Sequence, residues 1–220
     1  MDDEATTYAE MREEMVARQL AGRGITDTAV LQAFLTVPRE LFVPRDLRHN
    51  AYDDTPLPIP DKQTISQPYV VAYMISLLHL QQADRVLEIG TGSGYAAALL
   101  SQIVAEVHSV ERHTALVNYA RKRLQYLGYA NVHVHHGDGT LGWTEHAPYD
   151  GIIVAAGGPA VPPSLKAQLA VGGRLIMPVG RKHREQWLVY VERRDETTFS
   201  EQTYSPVAFV PLVGAEGWQS

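Results

Sequence analysis

The sequence predicts an α/β protein: a doubly wound, mostly parallel sheet with an antiparallel edge and extra helices at its N-terminal end. Three observations carry this. From residue 85 to about 178, short apolar runs alternate with helical periods, joined by turns. Residues 8–50, before that stretch, show helical spacing only. After it come two strand-like runs with no helix between them. Strand–helix alternation places parallel strands between helical layers, and a helix-free final pair fits an antiparallel edge.

The elements follow in order. Met11, Met15, Leu20 and Ile25, then Val30, Leu31, Phe34 and Leu35, recur at helical spacing. Gly22 and Gly24 part the two helices, and Thr26 or Asp27 can cap the second. Pro38 and Pro44 flank the apolar turn Leu41-Phe42-Val43. Residues 51–68, with Pro56, Pro58, Pro60 and Pro68, read as a long loop, and such loops in compact domains are often functional. A helix from Val70 to Leu80 carries Val71, Met74, Ile75 and Leu78 on one face. Then come a strand Arg85–Ile89, a helix Tyr95–Val104 and a strand Val107–Glu111. An amphipathic helix with Leu116, Val117, Ala120, Leu124 and Leu127 follows, with Gly128 as its C-terminal cap. Strands Val132–His135 and Gly151–Ala155, a short helix Ser164–Leu169 and a strand Arg174–Met177 complete the parallel part. Gln186–Glu192 and Phe199–Leu212 form the edge pair, for seven strands in all. One domain is expected: residues 1–80 as a helical cap with the active-site loop, 81–180 as the cofactor-binding core, 181–220 as the edge.

Composition narrows the function. Nineteen Lys and Arg against 25 Asp and Glu leave a net charge of −6, so nothing favours a nucleic-acid partner, which needs clustered cations. The basic runs Arg121-Lys122-Arg123 and Arg181-Lys182-His183-Arg184 are short and isolated. The chain has no cysteine, which excludes disulfides, thiolate-zinc sites and thiol nucleophiles. The acidic start Met1-Asp2-Asp3-Glu4 lacks the segments of a signal peptide, and no long apolar run suggests a membrane helix. A cytoplasmic protein without a membrane partner is expected.

The strongest local signal is Glu88-Ile89-Gly90-Thr91-Gly92-Ser93-Gly94 between the first core strand and its helix. Such glycines allow a sharp turn and close approach of a ligand, although a tight turn that binds nothing has the same appearance. Two acids add to it. Glu111 ends the second core strand, where a carboxylate accepts from ribose hydroxyls, and Asp138 in Gly137-Asp138-Gly139 can accept from an adenine amine. The spacing is G-x-G-x-G, not the dinucleotide G-x-G-x-x-G, and Glu88 would repel a pyrophosphate. It suits the ammonium or sulfonium end of S-adenosylmethionine. The loop Gln63-Thr64-Ile65-Ser66-Gln67-Pro68 is the second signal: an ordinary helix cap, or a flap that offers hydroxyls to a substrate. His133 and His135 alternate on one strand, which marks a solvated face better than a chelate, and no metal is expected.

With both signals in place, the chain resembles the protein-L-isoaspartate (D-aspartate) O-methyltransferase family over almost its whole length. The matching stretches are Val37-Pro-Arg-Glu-Leu-Phe-Val-Pro44, Ala51-Tyr52-Asp53-Asp54, Gln63 to Pro68, Val86 to Tyr95, Val110-Glu111, Gly137 to Gly139, and Val171-Gly-Gly173 to Pro178-Val-Gly180. The glycine motif is shared by many methyltransferases; the T-I-S-Q-P loop with V-P-R-E-x-F is far more specific. The resemblance implies a Rossmann-like methyltransferase sheet with its last two strands exchanged relative to other methyltransferases. It implies methylation of isoaspartyl proteins and peptides from S-adenosylmethionine; apart from the resemblance, a monomer is expected. It places Ser66 beside the reacting carboxylate as the catalytic residue. Thr64, Gln67, Glu88, Gly90, Thr91, Gly92, Ser93, Gly94, Glu111, Asp138 and Gly139 are then the cofactor-binding set, with Phe209 to Leu212 as an edge strand along the peptide groove. A small-molecule methyltransferase and a non-catalytic isoaspartate-binding module are the alternatives.

Overall fold

The computed structural model describes residues 2–182 and 185–219, so His183 and Arg184 of the second basic run lie outside the described residues. The chain begins with helix α1 (Asp2–Glu14), which runs on through a π-helical stretch, Met15–Leu20, into a 3₁₀ turn, Ala21–Arg23. Gly24, at φ +94°, ends it. Helix α2 (Thr28–Thr36) is capped by Asp27, whose Oδ1 accepts from the amides of Ala29 (2.9 Å) and Val30 (3.1 Å). Two 3₁₀ turns, Arg39–Phe42 and Arg45–Asn50, follow.

The expected long loop contains a hairpin. Strands β1 (Leu57–Ile59) and β2 (Gln63–Ile65) pair antiparallel, with Leu57, Ile59 and Ile65 buried and Pro58 and Thr64 exposed. That alternation is the period of a strand, but it is too short to stand out among four prolines. Helix α3 (Pro68–Leu78) starts earlier than its apolar face suggests, because proline fits the first helical position.

The main sheet holds β3 (Arg85–Ile89), β4 (Glu106–Glu111), β5 (Val132–His136), β6 (Tyr149–Val154), β7 (Leu169–Lys182), β8 (Glu185–Arg193) and β9 (Phe199–Val207). Helices α4 (Tyr95–Ser101), α5 (Thr114–Tyr126) and α6 (Pro163–Ala167) connect them. The strand order is β5-β4-β3-β6-β7-β8-β9, the first five parallel and the last two antiparallel. Strand β7 is longer than its apolar centre, since its tail twists into a hairpin with β8. Strand β9 ends at Val207, which corrects the expected run to Leu212. Residues 209–212 instead leave the edge and cross the carboxyl end of β6. There the Gly157 amide donates to the Val210 carbonyl and the Leu212 amide to the Gly157 carbonyl, both at 2.8 Å.

Side-chain alternation sorts the core into two layers. Val86, Val107, Val134, Ile153 and Ile176 face helices α2 to α5. Leu87, Ile89, Val110, Ile152, Val154 and Met177 face α6 and the 209–212 crossing. The chain leaves β3 toward β4 on one side and returns to β6 on the other. Their carboxyl ends therefore splay apart, which opens the crevice where ligands of such sheets bind. Among the described residues no helix is long and apolar enough to cross a membrane.

Candidate active site

Strand β3 alternates, so Glu88 shares the face of Val86 and points toward the helical cap, and parallel register sets it opposite Ser109 of β4. The Ser109 hydroxyl donates to Glu88 Oε2 at 2.5 Å, and the Thr91 hydroxyl lies 2.5 Å from Ser109 Oγ. A serine has one proton to give, so the chain runs from Thr91 through Ser109 to Glu88. Glu88 Oε1 is buried and has no partner. The residue is 1 % exposed. Burial pushes its carboxyl up to about 8, and the nearby charge of Glu111 adds to the rise, against the pull of Ser109.

The glycine turn closes over this carboxyl. Gly92 takes φ +53°, a left-handed geometry that a β-branched side chain resists. Its amide donates to Glu111 Oε2 at 3.0 Å, while the His113 amide donates to Oε1 at 2.9 Å. Glu111 thus ties the turn to the start of α5.

These elements wall a cavity of about 260 Å³ at the carboxyl ends of β3, β4 and β6. Of the expected site residues, Thr64, Ser66, Glu88, Gly90, Thr91, Gly92, Ser93, Glu111 and Gly139 line it. Ser66 is half-buried and lines the cavity, and its hydroxyl makes no hydrogen bond to another described residue. Three others stand back from the wall. The Gln67 amide nitrogen donates to the Asp54 carbonyl at 3.0 Å and anchors the loop. Gly94 starts α4 at φ +87° and is packed beneath Leu124. Asp138 uses its carboxylate within the chain: Oδ1 accepts from the Thr140 amide (2.9 Å) and hydroxyl (2.7 Å), Oδ2 from the Ala215 amide (2.7 Å). Burial raises its carboxyl, but these donors outweigh burial and hold it below the usual carboxylate range.

Other wall residues lie outside the expected catalytic and cofactor-binding set. Ala155 and Ala156 follow β6, Arg112 and His113 follow Glu111, and Val210 to Val213 come from the crossing segment. The crevice rule for a reversed strand order would have found the first pair. Val210 to Leu212 belong to the run the resemblance set along the groove; they reach the cavity by crossing over β6 and not as an edge strand, which no local pattern announces. His133 and His135 lie on the exposed strand β5, where their rings stack near His108 (5.2 Å between centroids) and Trp143 (4.6 Å). Among the described residues no three side chains converge as metal ligands.

The family model described as protein-L-isoaspartate(D-aspartate) O-methyltransferase matches residues 10–217. The chain belongs to that family. It is 60 % identical over 207 residues to protein-L-isoaspartate O-methyltransferase 2 of Pelobacter propionicus, covering 94 % of this chain and 92 % of the relative. It is 56 % identical over 210 residues to protein-L-isoaspartate O-methyltransferase 1 of Geotalea uraniireducens, covering 96 % of each. A solved protein-L-isoaspartate O-methyltransferase superposes with a TM-score of 0.84 at 32 % identity, over 94 % of this chain and 67 % of that one. A Plasmodium falciparum protein named for the same activity, solved in complex with S-adenosyl-L-homocysteine, gives 0.79 at 25 % identity over 94 % of this chain and 98 % of that one. The family match spans both the Ser66 loop and the glycine turn, the two halves of the cavity wall.

Proposed function

We propose that this chain transfers a methyl group from S-adenosylmethionine to the free α-carboxylate of L-isoaspartyl residues, and of D-aspartyl residues, in damaged proteins. The observation that carries it is the pairing, in one cavity, of a buried Glu88 oxygen without a partner and a free Ser66 hydroxyl. A partnerless buried acceptor calls for a donor or a cation. The ammonium and sulfonium groups of the cofactor supply either, and their positive charge draws the raised carboxyl toward its ionised form.

S-adenosylmethionine supplies the methyl group, which passes from sulfur to a carboxylate oxygen while the C–S electron pair stays on sulfur. Glu88 and Glu111 would hold the cofactor along a wall of Gly90, Gly92 and Gly139; Gly139 must stay a glycine for packing, since a Cβ there would sit 2.4 Å from the Ile89 side chain. Thr64 and Ser66 approach from the hairpin side. Ser66 orients the accepting carboxylate by a hydrogen bond. No general base is required, because a carboxylate with an ordinary pKa near 4 is already ionised at neutral pH. Catalysis then rests on alignment and exclusion of water. The resulting ester recyclises to a succinimide, from which normal aspartyl linkages can reform. The domain division, a cytoplasmic site of action and a monomeric working form belong to the same proposal.

Methyl transfer to an isoaspartyl peptide, compared with its normal aspartyl twin, tests it. Transfer to the isoaspartyl form alone is expected. Equal transfer to both, or none to either, rejects it in favour of a small-molecule methyltransferase or a non-catalytic binder.

A further inference from the structure

The Val37–Pro44 motif carries Arg39, whose side chain lies in the protein interior, 0 % exposed. Its Nε donates to the Ala51 carbonyl at 2.7 Å and its Nη2 to the Ser66 carbonyl at 2.9 Å. Those carbonyls stand at the two ends of the segment that contains β1 and β2. One rigid guanidinium therefore ties together the two ends of the hairpin segment, whose second strand and its continuation, Gln63 to Ser66, line the cavity. Its Cζ also sits 4.8 Å from the ring centroid of Tyr95, the residue that begins α4 and, like Ser66, lines the cavity. Arg39 joins the loop to the glycine-turn helix.

Fold stability is a poor explanation for this arrangement. Among the described residues no carboxylate pairs with Arg39; the neighbouring Glu40 takes the Tyr52 hydroxyl instead, at 2.5 Å. Arg39 Nη1 and the Tyr95 hydroxyl are both buried and fall outside good hydrogen-bond geometry, so the neutral phenol acting on the guanidinium is a weak substitute for a counter-charge. A buried cation lacking a counter-charge is expensive, and an apolar core is commonly at least as stable. What only a guanidinium supplies is two donors at fixed geometry for two carbonyls.

We propose that Arg39 is the positioning residue of the Ser66 loop: by holding the Ser66 carbonyl it fixes where the Ser66 hydroxyl meets the substrate carboxylate. This rests on the role given to Ser66 above. Arg39 touches neither substrate nor cofactor and acts through the loop.

The test is a double-mutant cycle on the full chain with Arg39→Met and Ser66→Ala, reading kcat and KM on an isoaspartyl peptide and the Kd for S-adenosylhomocysteine. Losing a charge-assisted bond that aligns a reacting group lowers kcat/KM by about ten- to a hundredfold. Arg39→Met is expected to show that loss with cofactor Kd changed less than about threefold. In the Ser66→Ala background the same substitution is expected to cost less than about threefold, because the hydroxyl it positions is gone. Full additivity, or a loss confined to cofactor affinity, overturns the proposal while leaving the methyltransferase reading intact. An inactive wild type overturns both. Should Arg39→Met fail to fold, Arg39→Lys keeps the charge but donates to the two carbonyls without the fork. An intermediate fall in kcat at unchanged cofactor affinity supports the role, and unchanged kcat refutes it.

Discussion

Replacing Glu88 with glutamine should move stability and cofactor affinity in opposite directions. In the folded protein the carboxyl is raised from its ordinary value of 4.5 to about 8 by burial, next to the charge of Glu111. Below 4.5 both folded and unfolded chains hold the proton, so the shift costs nothing. Between 4.5 and about 8 the unfolded chain has released a proton that the folded protein retains, and stability falls as pH rises. Each pH unit in that window costs about 1.4 kcal/mol, for a total on the order of 3–5 kcal/mol at its upper end. Glutamine keeps the shape and still accepts from Ser109, but it does not ionise. Urea unfolding of the apoprotein at pH 5, 6.5 and 8 should therefore show the Glu88→Gln variant gaining on wild type by up to a few kcal/mol. Calorimetry at pH 8 should show S-adenosylmethionine binding weakened by about ten- to a hundredfold, the usual worth of a hydrogen bond to a charge. A stability difference that stays flat with pH would refute the reasoning. It would mean that the carboxyl is ordinary and that its unpartnered oxygen has no bearing on the ligand.

Three further outcomes are expected. Ser66→Ala should lower kcat on isoaspartyl peptide by at least about tenfold with cofactor Kd nearly unchanged, since one hydrogen bond to an ionised substrate group is lost; steady-state kinetics with calorimetry checks it. Gly92→Val should abolish cofactor binding, because φ +53° strains a branched side chain at the wall beside Ile59; calorimetry with S-adenosylhomocysteine reads this directly. Asp27→Ala should cost about 1 kcal/mol through the lost cap of α2 and lower the melting temperature by roughly 2–4 °C, with activity intact.

The parallel core was legible because short apolar-rich runs between turn residues alternate with helical periods, most plainly at the buried central strands β3 and β6; the edge strand β5 showed instead the alternation of a half-exposed strand. The place of Glu88 and Glu111 on the cavity wall could be read because both stand at the carboxyl ends of neighbouring parallel strands, where such sheets open a crevice. Asp138 was read only in part: its place after β5 is local, but the capture of its carboxylate by Thr140 and Ala215 joins residues far apart in the chain. The same reason hid the crossing of residues 209–212 over β6, since strand-like composition does not say which partner a segment finds. Arg39 stood inside a recognisable motif, yet nothing local distinguishes an arginine on the surface from one that reaches through the core to Ala51 and Ser66.

In the proposed role of ribose acceptor, Glu111 starts already immobilised. Both of its oxygens are held by main-chain amides of Gly92 and His113, so a sugar hydroxyl that docks against it need not freeze a swinging side chain, a cost of about 0.5–1.5 kcal/mol elsewhere. The reverse follows for imitators of the nucleoside. A deoxy analogue leaves behind an acceptor that has no freedom to turn toward water or toward another donor, and such an inhibitor forfeits the full strength of the missing contact.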